Sequence, residues 1–395
     1  MKAYEITKGV YWVGAIDWNV RNFHGYETKK GSTYNAYLIV DEKIAIFDTV
    51  KAPFAAEMLE RVKSVVDLDR VDYIISNHVE MDHTGALPVV AAACKNAQII
   101  TSTPAGIAGL KAHYGDLGYV GVKTGDSLSL GKKTVKFVQT PMVHWPDSMV
   151  SYIPEDEILF SNDAFGQHYA SSERMDEEVP EIADVFRESD KYYANIVLPY
   201  AAPVTGALNA LGGLPIKVIC PMHGIMWKKY IPQILERYEK RYVRQEGCEQ
   251  ASIVYDSMWG STDKIAHAIA SGFEQKKIPY KLIDLKYTHN TEAITEVMLS
   301  KYVCVGSPTL NNGIMPTVAS FLCYMKGLAP KPKKFLAFGS YGWSGQSPSI
   351  LTEELTKCKF TPLCDMIRLQ YVPTEEVLQG VTQKVADALE QEEQA

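Results

Sequence analysis

The chain has no Cys-x-x-Cys pair. Its seven cysteines stand singly at positions 94, 220, 248, 304, 323, 358 and 364. That argues against an iron–sulfur cluster, a zinc ribbon or an appended rubredoxin-type iron site. Single thiols fit a reducing compartment. Long apolar runs are also missing. The longest, residues 86–94, falls far short of the about 20 residues that cross a bilayer, which disfavours a membrane protein. The N-terminus, Met1-Lys2-Ala3-Tyr4-Glu5, lacks a signal-peptide pattern. These absences lead to the expectation of a cytoplasmic protein. Excess positive charge is absent as well: the formal net charge is −7, which leaves nucleic acid no electrostatic footprint. The most basic piece, residues 228–244, carries Ile231, Leu235, Tyr238 and Tyr242 at helical spacing and reads as a helix with a solvated outer face.

What is present is an ordinary globular composition of 395 residues, 46% hydrophobic and 22% charged, long enough for two or three domains. Up to about residue 215 the pattern is strand-rich and hairpin-like. Apolar runs at 35–40 and 44–50 flank a short polar link, and further strands are expected at 71–76, 98–102, 134–139, 150–153, 158–161 and 217–220. Helical stretches intervene at 53–66 and 104–113. From residue 251 the pattern alternates strictly between strand and helix. Five βα units predict a doubly wound parallel sheet. The polar stretch 244–250 marks the boundary, giving domains 1–248 and 249–395.

Metal-binding side chains concentrate in the first half. His78-Val79-Glu80-Met81-Asp82-His83 follows the strand at 71–76. His144 follows the strand at 134–139, Asp163 the one at 158–161, and His223 the one at 217–220. Seven groups from four strand ends can converge on one edge. Seven is too many for one tetrahedral ion and about right for two metals sharing a carboxylate. Glu80 supplies a hard, anionic oxygen donor, which suits iron or manganese better than zinc.

This pattern resembles the metallo-β-lactamase superfamily, whose hydrolytic members usually read His-x-His-x-Asp-His and bind zinc. With Glu80 at the second position, and with His144, Asp163 and His223, it resembles the flavodiiron proteins specifically. The resemblance implies an αββα fold for the first domain. It also implies a first iron on His78, Glu80 and His144, a second on Asp82, His83 and His223, and Asp163 as the bridge. His83 is the least secure of these, because the position is not a ligand in every member. His24 and His168 lie in family-like segments, with hydrogen bonding or proton delivery as their expected roles and an ordinary histidine as the alternative. Tyr192 is a weaker candidate.

The second half carries three loops at strand ends. Ser257-Met258-Trp259-Gly260-Ser261-Thr262 precedes a helix and can cradle a phosphate dianion. Without Gly-x-Gly-x-x-Gly or a Gly-Lys-Ser/Thr run, a dinucleotide and a nucleoside triphosphate are disfavoured. A phosphate monoester such as the tail of FMN fits. Pro308-Thr309-Leu310-Asn311-Asn312-Gly313 and Ser340-Tyr341-Gly342-Trp343-Ser344-Gly345 add small polar groups and stacking aromatics where doubly wound sheets bind ligands. This half resembles the flavodoxin-like module of the same family.

The resemblance implies an oxidoreductase that reduces dioxygen to water, nitric oxide to nitrous oxide, or both, at two irons fed with electrons by FMN. It implies a separate rubredoxin or a reduced deazaflavin as donor. A head-to-tail homodimer, or a dimer of dimers, would bring each flavin to the partner's irons. A binuclear zinc hydrolase with a flavodoxin-like accessory domain, and an electron carrier using FMN alone, are the alternative readings.

Overall fold

Alternation between two cores builds the first unit. Along Tyr37–Val40 and Ile44–Phe47, successive side chains point to opposite faces of a sheet. Leu38, Ile44, Ile46 and Ile74 pack with Met58, Val62, Leu87 and Leu110 of the covering helices. Ile39, Ala45, Phe47 and Ile75 pack the other way, against Phe137, Ile153, Ile158 and Phe160 of a second sheet. Phe47 and Phe160 stack with ring centroids 4.4 Å apart across this seam. The result is two sheets face to face with helices outside. The seven-stranded sheet runs in the order Tyr4–Thr7, Val10–Trp12, Tyr37–Val40, Ile44–Phe47, Tyr73–Ser76, Gln98–Ser102, Tyr119–Val122. The five-stranded sheet runs Ser127–Ser129, Thr134–Gln139, Met149–Ile153, Ile158–Asn162, Val218–Pro221.

This computed structural model describes residues 1–394. The chain divides into two compact units, one formed by Met1–Tyr192 and Tyr200–Glu239, the other by Tyr193–Pro199 and the chain from Lys240 onward. The second unit is the alternating half. Its sheet is parallel throughout, in the order Tyr280–Asp284, Ala251–Tyr255, Tyr302–Gly306, Lys334–Tyr341. Two short strands, Thr361–Pro362 and Ile367–Gln370, pair with successive parts of Lys334–Tyr341. Helices such as Ser261–Gln275 and Pro316–Leu328 cover the faces. This is the flavodoxin-like strand order. Among the described residues, no helix is long and apolar enough to cross a membrane.

The basic piece at 228–244 is not one regular helix. It is α-helical over Ile231–Glu236 and π-helical over Arg237–Arg244. Ile231, Tyr238 and Tyr242 are buried, and the Tyr238 hydroxyl accepts a hydrogen bond from the Phe165 N–H at 2.6 Å.

Candidate metal centre and cofactor pocket

The strand Tyr73–Ser76 ends at Asn77, and the chain then turns into the short helix Met81–Thr84. His78 and Glu80 precede this turn, while Asp82 and His83 lie on it. Two groups of side chains form. In the first, His78, Glu80, His144 and Asp163 each offer an atom within 4.8 Å of the others; Asp82, His83 and His223 form the second on the same criterion.

Asp163 stands between them. Its Oδ2 lies 3.5 Å from His78 Nε2 and 3.3 Å from His144 Nε2. Its Oδ1 lies 3.2 Å from His83 Nε2 and 3.5 Å from His223 Nε2. One carboxylate oxygen thus faces each group. In the first group Glu80 Oε2 lies 3.3 Å from both His78 Nε2 and His144 Nε2. In the second, Asp82 reaches His223 Nε2 at 3.1 Å and His83 Nε2 at 3.5 Å. Two donors each about 2.1 Å from one ion, at roughly tetrahedral or octahedral angles, stand about 3.0–3.4 Å apart. The spacing fits. So does the satisfaction of the buried atoms. Both oxygens of Asp163, Asp82 Oδ1 and His83 Nε2 are buried and make no hydrogen bond. Buried polar atoms are otherwise nearly always paired.

The surrounding structure orients these side chains. The Asp147 carboxylate takes His78 Nδ1 at 3.0 Å and the Val79 N–H at 2.8 Å. The Thr33 carbonyl takes His223 Nδ1 at 2.7 Å. Such partners fix the ring and direct the other nitrogen inward. His83 has no such partner: neither of its ring nitrogens is hydrogen-bonded. Beneath the centre, the buried Asp48 accepts from the Asn77 N–H and side-chain amide, both at 2.7 Å, and Asn77 Oδ1 accepts from Ser151 at 2.7 Å. Burial pushes the Asp48 carboxyl up to about 6, against the pull of His83 and Asn77. Asp147, Thr33, Asn77 and Asp48 were not singled out from the sequence. Only Asp147, three residues after His144, carried a local signal.

The electrostatics are reciprocal. Burial works to raise Asp163, but His83, His144 and His78 hold it well below the usual carboxylate range. Burial works to lower His78 and His83. Asp147 and Glu80 nevertheless hold His78 well above its ordinary value, and Asp82 and Asp163 push His83 up to about 9.

His168 is buried, with Nδ1 2.9 Å from the Ser32 hydroxyl, Nε2 without a hydrogen bond, and its ring 5.2 Å from His223. Burial and the nearby His223 hold it well below its ordinary pKa, so it is neutral. His24 lies at the exposed rim, its Nε2 3.2 Å from Glu80 Oε1. Tyr192 is 3% exposed, packs 5.0 Å from His168, and has its phenol pushed far up by burial and by Asp163 and Asp82.

In the second unit, the three predicted loops line one cavity of about 650 Å³, a size suited to a cofactor. Met258, Trp259, Ser261, Pro308, Thr309, Asn311, Asn312, Ser340, Tyr341, Gly342, Trp343 and Ser344 line it; Tyr371 and Val372, from a fourth loop missed in the sequence, complete it. Trp259 and Trp343 are about nine-tenths exposed, so their apolar faces are left for a planar ligand. The other predicted residues shape the loops. Ser257 Oγ accepts from the Gly260 N–H at 3.1 Å, and Gly260 caps the helix at φ +85°. Thr262 bonds Ser340 at 2.8 Å. Leu310 and Gly313 exchange hydrogen bonds around Asn311 and Asn312, both at positive φ, a tight turn that asparagine tolerates. Gly345 lets the side chains of Arg368 and Tyr341 approach within about 3 Å of where a Cβ would sit.

A two-sheet, helix-covered domain with paired metal-ligating groups at its strand ends, fused to a flavodoxin-like sheet, defines the class: a metallo-β-lactamase-like and flavodoxin-like fusion. Residues 33–224 match the ODP family beta lactamase and residues 253–392 match flavodoxin. The chain is 44% identical to a nitric oxide reductase of Moorella thermoacetica, covering 95% of both. It is 43% identical to the rubredoxin-oxygen oxidoreductase of Megalodesulfovibrio gigas, covering 98% of both. The crystal structure of the flavodiiron protein from Giardia intestinalis superposes with a TM-score of 0.95 at 36% identity, covering 98% of this chain and 96% of that one. The chain belongs to the flavodiiron protein family.

Proposed function

We propose that this protein reduces dioxygen to water, nitric oxide to nitrous oxide, or both. The observation that carries the reading is the donor set. Each group offers two imidazoles and one carboxylate of its own, with Asp163 shared. Two histidines and a carboxylate with open positions are the ligand type of non-heme ferrous sites. His78, Glu80 and His144 would hold one iron, Asp82, His83 and His223 the other, and Asp163 would bridge. The loops around Met258, Asn311 and Trp343 would hold FMN, its phosphate at the N-terminus of the helix Ser261–Gln275 and its ring among the exposed aromatics. These roles divide between domains 1–248 and 249–395. Bound there, FMN and two irons supply the one-electron steps that reduction of a diatomic gas requires.

The chain's own groups position and protonate. Asp147 and Thr33 fix the lone pairs of His78 and His223 inward. His24, at the rim on Glu80, would bring protons from solvent. Neutral His168, tied to Ser32, and the Tyr192 phenol present hydrogen-bonding groups inside a largely buried centre, where each developing charge needs a partner. A zinc hydrolase has no use for the aromatic cofactor pocket, and its usual imidazole is Glu80 here. The names of the relatives support a rubredoxin as donor. A head-to-tail dimer in a cytoplasmic setting completes the reading. Dilution to a proven monomer should slow flavin-to-iron transfer while both cofactors stay bound.

Metal analysis with anaerobic turnover tests the assignment. Two irons and one FMN per chain are expected, with gas reduction abolished in Glu80→Ala while flavin reduction persists. Two zinc ions and no flavin, or full turnover in the variant, would sink it.

A further inference from the structure

A second cavity, of about 350 Å³, lies at the other end of the second unit's sheet. Lys301, Lys333 and Lys334 place it where the strands Tyr302–Gly306 and Lys334–Tyr341 begin, whereas the aromatic pocket is built from loops that follow the ends of these strands. Eight residues at about 3.3 Å each put roughly 20–25 Å between the two cavities.

Its lining is basic in an acidic chain. Arg244, Lys301, Lys331, Lys333 and Lys334 face it together with Glu249 and Glu392, and Glu246 lies 3.9 Å from Arg244. Three of these five cations are paired, which leaves Lys331 and Lys333 in excess within a protein of net charge −7. Both carboxylates are already engaged, Glu249 with Lys301 at 3.4 Å and Glu392 with Lys334 at 2.8 Å. Lys331 and Lys333 have no carboxylate within 4.0 Å among the described residues. Lys331 donates only to the Arg244 carbonyl at 3.4 Å. Lys333 is 7% exposed and donates to Gln245 Oε1 at 2.6 Å and the Met298 carbonyl at 3.2 Å. Burial pulls its ammonium down to about 8; the Cys248 thiol works the other way and the Lys331 charge adds to the fall. A buried cation with only neutral partners costs free energy that an anion would recover.

We propose that this cavity binds a diphosphate group. Ammonium groups recognise phosphate as point charges. The two ammonium groups without a carboxylate, Lys331 and Lys333, offer one cation to each phosphoryl group of a diphosphate. The volume exceeds one phosphate several-fold, yet no aromatic side chain lines it to stack a nucleobase. Inorganic pyrophosphate and the diphosphate end of a nucleotide share the chemistry that fits. Bound there, the anion would tie residues 244–249, where the chain enters the flavodoxin-like fold, to the starts of two central strands. The site is independent of the gas-reducing reaction.

Calorimetric titration of the full chain, loaded with metal and saturated with FMN so that the flavin's phosphate cradle is filled, tests this. Pyrophosphate should bind once per chain, weakening as salt rises. ADP binding no tighter than pyrophosphate would identify the diphosphate alone as the determinant, and tighter binding a nucleotide as its source. Lys331→Gln, at an exposed position that leaves folding intact, should weaken binding about threefold to fivefold. Lys333→Gln should weaken it tenfold or more. The flavin spectrum should not change. Absence of pyrophosphate binding to the unmodified protein, or equal affinity in both variants, would overturn the proposal.

Discussion

Loading the metal-free protein with two divalent ions should release protons near neutral pH, that of His83 among them. Burial works to lower His78, His83 and His144, but their carboxylate neighbours raise all three, His83 to about 9. Each imidazolium must lose its proton before its nitrogen can bind a metal. Glu80, Asp82 and Asp163 are held below the usual carboxylate range, are already ionised, and release none. Metal-free and metal-loaded protein should then respond to pH in opposite directions. A histidine whose pKa is raised on folding stabilises the fold fully below its unfolded value of about 6.5, and that contribution fades as pH climbs through the folded value. For His83, raised to about 9, the contribution is ~3 kcal/mol. The metal-free protein therefore loses stability from about pH 6.5 to pH 9, while apparent metal affinity climbs over the same range. Anaerobic calorimetric titration with ferrous or manganous ion at pH 7, in buffers of different protonation enthalpy, gives the proton count from the slope. A slope of zero, or a metal-free Tm that rises between pH 6.5 and pH 9, would refute the reasoning.

Asp147→Asn leaves His78 Nδ1 and the Val79 N–H without their carboxylate. Metal affinity at the first group should fall about 10–100-fold, and metal analysis should move from two ions per chain toward one. Gly224→Ala should be severely destabilising. At φ +79° its Cβ would sit 1.6 Å from Gln167 Oε1 and 2.4 Å from the Gln167 carbonyl, displacing the segment that carries His223. A loss of roughly 3 kcal/mol or more should appear in denaturant titrations. Tyr192→Phe keeps the ring that packs on His168 and removes only the hydroxyl. Iron and FMN content should hold while turnover falls by roughly 100-fold if the phenol moves a proton. Unchanged turnover would confine Tyr192 to packing.

The parts of the centre legible in the sequence are those governed by local pattern. His78, His144, Asp163 and His223 each follow a run that alternates or is wholly apolar, so the strand and its end could both be read. The supports of the centre could not. Asp147 and Thr33 reach their histidines across 69 and 190 positions of chain. The helix Ile182–Tyr192 also went unread, because it buries Glu188, Ser189, Asp190 and Lys191 and so masks its apolar face. The first strand, Tyr4–Thr7, alternates only between half-buried and exposed positions, too weak a pattern for an edge strand. At 237–244 the inner face was expected from 3.6-residue spacing. Tyr238 and Tyr242 are indeed buried, but on a π-helical turn that no periodicity argument would have chosen.

The six residues from His78 to His83 provide for two groups because the backbone changes conformation in their middle. Glu80 is still extended, at φ −58° and ψ 144°, and its carboxylate lies 3.3 Å from His78 Nε2. His78 reaches Asp163 Oδ2 at 3.5 Å, and His144, 3.3 Å from the same oxygen, also faces Glu80. At Met81 the chain turns helical, and Met81 itself points outward at 55% exposure. Asp82 and His83, adjacent on that turn, are carried toward His223 and the other oxygen of Asp163. A regular strand would have put His78, Glu80 and Asp82 in one row, and a regular helix would have placed His78 beside Asp82. Only the extended-to-helical switch separates the motif into two halves of matching donor type. It makes Glu80 the motif's last contribution to the first group, and it leaves Asp163, arriving from the other sheet, as the side chain common to both.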